Sequence, residues 1–299
     1  MATLKEVQTK ISAVKKTRQI TKAMNMVAAS RLRGAQEAMD GFRPYAKKFA
    51  EVLGSLLEKA DEDISPLMMP HEEVNNIHLV FCTSDRGLCG GFNSNLIAKA
   101  QSFIKEKGES INFSFTNFGK KGRDWCRKNK VSIADEHLGV VGTKFQFNVA
   151  AMAGQKLIDG FLDGTYEEVY ILYSEFISMA RQVPVLQQIL PMQPLEKAED
   201  EIEDAPYLAE HICEPSIGEL VGEMLPKNAY VLLHSALLET STSEHAARMA
   251  AMDNATSACN DMLDNLTLIY NKARQAAITA ELWILLAVPK PLKGKPGNI

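Results

Sequence analysis

Apolar residues recur at steps of three and four at the start of the chain, at Leu4, Val7, Ile11 and Val14. That spacing predicts the seam of a helix packed on a partner helix. Beyond the polar run Lys15–Gln19 the stripe is expected to resume at Ile20, Met24 and Val27, either drifting around the helix at the interruption or touching something wet there. Neither Gly nor Pro occurs from Thr3 to Arg33. Gly34, Gly41 and Pro44 weaken the later turns, but Phe42, Tyr45, Phe49, Val52, Leu53, Leu56 and Leu57 resume the apolar face, which predicts a bend near Pro44 and not an end. A helical pattern returns from Ser216, with Pro226 expected as a bend or early break. From Ser243 to Leu282 there is again neither Gly nor Pro, and Met249, Met252, Cys259, Leu263, Leu266 and Ile269 or Tyr270 form a stripe. Such a run makes a rod of roughly 60 Å. Two long helices at opposite ends of the chain predict a hairpin of helices, with everything between carried as an insertion.

The insertion has a different rhythm. Ile77–Cys82 is a short apolar run rich in β-branched and aromatic residues, Asn93–Lys107 is amphipathic with helical period, and Ile111–Asn117 alternates apolar and polar. Shorter helices are expected near Lys120–Lys128 and Phe147–Leu162, and strands at Glu168–Phe176 and Val183–Pro191. The strand and helix order predicts an α/β unit with an open sheet. The chain therefore divides into an N-terminal helix over 1–60, the α/β domain over 74–195, an acidic connecting loop over 196–214, a C-terminal helix over 215–288 and a basic tail over 289–299.

With 299 residues, 46% of them hydrophobic and 23% charged, the chain has enough apolar material for a sizeable core. Its net charge of -4 hides an asymmetry, because residues 1–50 hold eleven Lys and Arg against three acidic residues. A solvated helix face, a nucleic acid, a membrane surface or an acidic protein partner all fit that asymmetry. No apolar run approaches the length of a membrane-spanning helix, and the start lacks the pattern of a secretory signal. Five cysteines without CxxC spacing fit reduced thiols, and six scattered histidines offer no metal-ligand cluster.

Two places invite chemistry. Ser84-Asp-Arg-Gly87-Leu-Cys-Gly90-Gly91-Phe-Asn93 follows a strand and opens a helix, where a phosphate loop would sit. Its spacing matches neither GxGxxG nor GxxxxGK[ST], so a turn that needs glycine for packing is the expectation, with Cys89 a structural thiol. Ser241, Ser243, Glu244 and His245 bring together a hydroxyl, a carboxylate and an imidazole, but neighbours on one helix point in different directions and form no relay; Ser243 and Glu244 are expected to begin or reinforce a helix turn. The methionines Met24, Met26, Met39, Met249, Met252 and Met262 fit either an adaptable contact surface or ordinary coiled-coil packing.

Three segments carry a resemblance: Ile20-Thr-Lys-Ala-Met24-Asn-Met26-Val-Ala-Ala-Ser30-Arg-Leu-Arg33, the loop Ser84–Asn93, and Glu244–Thr256 followed by Tyr270-Asn-Lys-Ala-Arg274-Gln-Ala-Ala-Ile-Thr279. In order and spacing, from about Thr3 to Leu282, the chain resembles the gamma subunit of F-type ATP synthases. The resemblance implies an α/β protein whose terminal helices form a long antiparallel two-helix coiled coil, around a central Rossmann-like open-sheet domain that binds no nucleotide. It implies a rotor with no catalytic, metal or cofactor site of its own. Its partners would be the alpha and beta subunits of the catalytic ring, the epsilon subunit and the c-ring of the membrane sector, with no nucleic acid. Membrane association would be peripheral, through the complex, on the cytoplasmic side of a bacterial inner membrane. By motif position, Lys22 and Met24 would meet the moving domain of the beta subunits, and Arg274 and Gln275 a beta-subunit loop higher up. Lys15, Lys16, Arg18 and Lys22 would face acidic loops of the beta subunits.

The likeness stops at Leu282. Members usually continue with Met-Glu/Asp-Ile-Val-Gly-Gly-Ala, whereas this chain reads Trp283-Ile-Leu-Leu-Ala-Val-Pro289 and then a basic tail. Codons for the usual segment, read one base later, can give that heptapeptide, which is what a shift of reading frame leaves. An apolar Trp283–Val288 still suits a bearing inside the ring, with Pro289 and Pro291 ending the helix. The chain also lacks the extra cysteine-bearing segment of redox-switched chloroplast members, so thiol control is not expected. Tight ATP or NAD binding by the isolated chain would favour an enzyme instead, and salt-sensitive DNA binding a nucleic-acid adaptor.

Overall fold

In the computed structural model of the chain, the described residues are 4–58, 65–71, 73–108, 110–192, 214 and 216–287, with backbone alone for 284–287. The expected acidic loop, apart from residue 214, and the expected basic tail lie outside them. Five helices and five strands are described: α1 (Leu4–Leu57), β1 (Asn76–Cys82), α2 (Phe92–Lys107), β2 (Asn112–Phe118), α3 (Lys120–Lys128), β3 (Ser132–His137), α4 (Phe147–Leu162), β4 (Glu168–Phe176), β5 (Gln182–Leu190) and α5 (Ile217–Ala287). They fall into two compact units, one of residues 1–25 with 252–299 and one of residues 26–251.

In the first unit, α1 and α5 pack antiparallel: Thr256 donates a hydroxyl hydrogen bond to Thr21 Oγ1 at 2.8 Å, and Arg18 Nη1 donates to Asn260 Oδ1 at 3.1 Å. Leu4, Val7, Ile11 and Val14 turn from solvent as their spacing predicts, with Val7 fully buried. The stripe does not move to Ile20, which is 59% exposed. It keeps its heptad through the polar run, using half-buried Arg18 and buried Thr21 as seam residues. On α5 the matching positions are Met252, Thr256, Cys259, Leu263, Leu266 and Tyr270, while Ile269 faces out. Hydrogen-bonded hydroxyl and guanidinium groups can occupy a seam because each finds a partner on the facing helix.

The second unit is built on one sheet in the order β3-β2-β1-β4-β5, with β1 to β4 parallel and β5 antiparallel to β4. Strand β3 goes beyond the sequence reading. Its residues SIADEH show no apolar face, because the edge strand is held by charge. Asp135 accepts from Lys156 Nζ of α4 at 2.6 Å, and Glu136 from Arg127 Nη2 of α3 at 2.8 Å. One sheet face, with Ile77, Leu79, Phe81 and Phe115, packs on α2 and α3 through Leu96, Phe103 and Cys126. The other face, with Val80, Phe118, Val169 and Ile171, packs on α4, the end of α1 and the start of α5.

Neither proline ends its helix. α1 passes through Pro44 and α5 through Pro226. In α5, Val221, Leu225, Ala229 and Leu233 are fully buried at four-residue steps on both sides of Pro226, so the apolar stripe holds the helix across the missing N–H. Of the bend or early break expected at Pro226, the break does not occur, because packing holds the helix together. The helix begins at Ile217, where Ser216 Oγ accepts from Glu219 N, and not at Ser243, which lies deep inside it.

A filled crevice and two exposed helix stations

The order of the parallel strands puts a topological switch between β1 and β4, and open α/β sheets bind ligands outside the carboxyl ends of the strands at such a point. Here the chain fills that place itself. In the glycine loop after β1, Ser84 Oγ donates to Arg86 O at 2.6 Å, and Asn93 Nδ2 donates to Ser84 Oγ at 2.7 Å and to Cys89 Sγ at 3.1 Å. Asp85 accepts the backbone N–H groups of Lys120 and Gly139. From α5, Arg248 Nη2 donates to Arg86 O at 3.2 Å and to Glu244 Oε1 at 2.7 Å, in an ion pair almost wholly removed from water. The side chains of Ser84, Asp85 and Asn93 and the carbonyls of Arg86 and Gly87 are thus bonded to protein, and Cys89 is a buried thiol.

Residues Thr240 to His245 of α5 are all buried over this end of the sheet. Ser243 Oγ donates to Ser174 O at 3.0 Å, and Ser241 Oγ accepts from Gly142 N at 3.1 Å. Glu244 lies so close to Gly142 that a Cβ there would collide with its Oε2. Burial holds the Glu244 carboxyl above its usual value, against the pull of Arg248. Burial, with the charges of Arg248 and Arg31, pushes His245 down to about 4. Ser241 and Ser243 are bonded to backbone groups and Glu244 to Arg248, so this cluster lacks the hydroxyl–base hydrogen bond that a nucleophile needs. Ser243 and Glu244 lie in mid-helix, so of the two roles expected for them, to begin or to reinforce a helix turn, only the first is excluded. Among the described residues, no group of three or more His, Cys, Asp or Glu could hold a metal ion, and no helix is long and apolar enough to cross a membrane.

The four residues assigned to partner contact all lie in the first unit. Lys22 is exposed and Met24 half-buried on α1; Arg274 and Gln275 are exposed on α5. Because Thr21 sits level with Thr256, Arg274 lies eighteen residues further along α5, roughly 27 Å at 1.5 Å per residue. They form two stations and not one site. Arg18 leaves the basic group expected to face outward, since it is bound in the seam to Asn260, whereas Lys15, Lys16 and Lys22 remain exposed. What the sequence reading missed is the apolar surface beside them: Ile20, Met262, Leu268, Ile269, Ile278, Leu282 and Trp283 are each at least half exposed in this unit, Trp283 at 70%. Their signal was present, because all lie off the heptad positions. In the second unit the glycine loop presents Leu88, 63% exposed at a φ of 64°.

Known proteins share this sequence and fold over most of the chain. An ATP synthase family model matches residues 3–285. The ATP synthase gamma chain of Desulfosudis oleivorans is 61% identical over 298 residues, covering 98% of this chain and 100% of its own. The chain belongs to the ATP synthase gamma chain family. The gamma chain of Maridesulfovibrio salexigens is 47% identical over 295 residues, with the same coverage. In fold, the chain is similar to one from the Euglena gracilis mitochondrial ATP synthase assembly of OSCP, F1 and c-ring, with a TM-score of 0.62 at 19% identity over 98% of both chains. A central stalk and c-ring structure from Tetrahymena thermophila gives 0.55 at 22% identity, over 79% of this chain and 99% of the other.

Proposed function

We propose that this gamma chain is the central-stalk rotor of an F-type ATP synthase, coupling proton flow through a membrane c-ring to conformational change at the catalytic sites of the beta subunits. The observation that supports the reading is an antiparallel helix pair whose seam is complete while its outer face carries large apolar side chains and free lysines. Such a surface calls for a protein sleeve. A shaft of unlike sides inside a ring of three alpha and three beta subunits contacts no two beta subunits alike, so each angle favours a different conformation at each site. The chain itself is not the catalyst. Lys22 with Met24, and Arg274 with Gln275, are its contacts with the beta subunits at two heights. Its other partners are epsilon and the c-ring, and its place is peripheral to the cytoplasmic side of a bacterial cell membrane. Exposed ion pairs of about 0–1 kcal/mol each suit contacts that must slide.

The test is to supply the chain to membranes depleted of their own gamma subunit. Copurification with alpha and beta subunits and restored ATP-driven proton pumping are the expected result. Tight binding of ATP or NAD by the isolated chain, without assembly, would overturn the reading.

A further inference from the structure

From the filled crevice we infer that α5 is keyed into the carboxyl end of the sheet, and that this key carries torque between the α/β domain and the helix. The inference rests on the rotor reading. Pairing of β1 with β4 stops at Phe81 opposite Leu172, while β4 continues to Phe176. Past that point the β4 backbone groups on the β1 side have lost their ladder partner, and α5 takes it over. Thr240 Oγ1 accepts from Ser174 N at 3.4 Å, Ser243 Oγ donates to Ser174 O at 3.0 Å, and Glu239 Oε2 accepts from Phe176 N at 3.4 Å. Positions 174 and 176 are two apart, the period of a strand edge, so the helix reads the strand like a neighbouring strand.

The same stretch reaches two more loops at this end of the sheet. Ser241 receives Gly142 N from the loop before α4, and Arg248 holds the carbonyls of Arg86 and Gly87 in the loop after β1. Glu239 is also paired with Arg43 of α1 at 3.6 Å. Three segments of the sheet are thus bolted to one stretch of helix by directional bonds in a buried place. Apolar side chains would bury the surface equally well but could slip past one another. Hydrogen bonds to backbone groups fix rotation and translation together, because a shift leaves buried donors and acceptors unpaired. A site where related sheets take a ligand has become a joint.

The test uses the whole complex in membranes in which the unaltered chain restores pumping; failure at that step counts against the rotor reading alone. A chain with Thr240→Val, Ser241→Ala and Ser243→Ala is expected to assemble and support ATP hydrolysis by the ring, while protons pumped per ATP hydrolysed fall at least twofold. Should that chain not assemble, Ser243→Ala alone takes its place with the same expectation in smaller degree. Adding Ser174→Cys and Ser243→Cys to the Thr240→Val, Ser241→Ala background is expected to restore pumping on oxidation and lose it on reduction. Two results would overturn the inference: an unchanged pumping ratio in the assembled variants, or loss of pumping when the cysteine pair is oxidised in an otherwise unaltered chain, which would mean that the joint must open during the cycle.

Discussion

Gly119 follows β2 at a φ of 111°, and a Cβ there would overlap the carbonyl oxygen of Thr83. Gly119→Ala therefore meets both a forbidden backbone region and a clash that no side chain can relieve, and is expected to cost more than about 3 kcal/mol in urea unfolding of the chain. The buried imidazoles act through protons instead. His78 sits between the hydroxyls of Ser114 and Thr116, at 2.7 and 2.9 Å, and burial pushes it from 6.5 down to about 4. His245 is pushed down equally far, and burial also lowers His137 and His234. In the unfolded chain these groups take up protons near 6.5. Stability from keeping them neutral is full above that pH and is lost as the pH falls from about 7 towards 4. Glu239 and Glu244, both held above their usual value by burial, work in the opposite sense, since the folded state then protonates first. The four imidazoles outnumber them, and His78 alone corresponds to about 3 kcal/mol. The urea midpoint is expected to be clearly lower at pH 4.5 than at pH 7, and His78→Gln to shrink that difference. A midpoint independent of pH would refute this account.

Elements were legible where one physical rule governed them. The seam positions Leu4 to Val14, the apolar run of β1 and the helical period of α2 each follow from burial of one face. Strand β3 was not legible, because its two faces are satisfied by ions from α3 and α4, which lie elsewhere in the sequence. The seam beyond Val14 was misread for a related reason. Ile20 is apolar and attracts the assignment, but the heptad runs through Arg18 and Thr21, whose partners Asn260 and Thr256 are more than two hundred residues away. Continuity through Pro44 and Pro226 was likewise decided by packing that local propensity does not contain. The Thr21–Thr256 layer has a measurable consequence. Thr21 also donates to Arg18 O, and the single hydroxyl proton of Thr256 is shared between Thr21 Oγ1 and Met252 O of its own helix. Replacing both by valine removes donor and acceptor together and leaves no group stranded, so thermal unfolding should show a change within about 1 kcal/mol, of either sign. A loss above about 2 kcal/mol would mean that the layer supports the coil far beyond its hydrogen bond.

For the whole molecule, the function lies in surfaces that make sense only with partners around them. Lys22, Met24, Arg274 and Gln275 are proposed contacts on resemblance alone, whereas the exposed apolar side chains of the first unit emerge only once the seam is fixed. Met24 tests the sliding-contact idea directly. It is half-buried on α1, so Met24→Lys adds a cation to a stretch of the shaft proposed to pass acidic beta-subunit loops. An added ion pair deepens one angular well, and a rotor that rests too long at one angle loses the timing between hydrolysis and proton movement. ATP hydrolysis by the assembled complex is expected to persist while acidification of inverted vesicles falls severalfold. Met24→Leu, matched in size and uncharged, should leave pumping intact. Because the new pair would be largely exposed, raising the salt should return part of the pumping. Full pumping by Met24→Lys at low salt would show that this part of the shaft does not run against acidic loops, and the beta-subunit contact would then have to be sought at the station of Arg274 and Gln275.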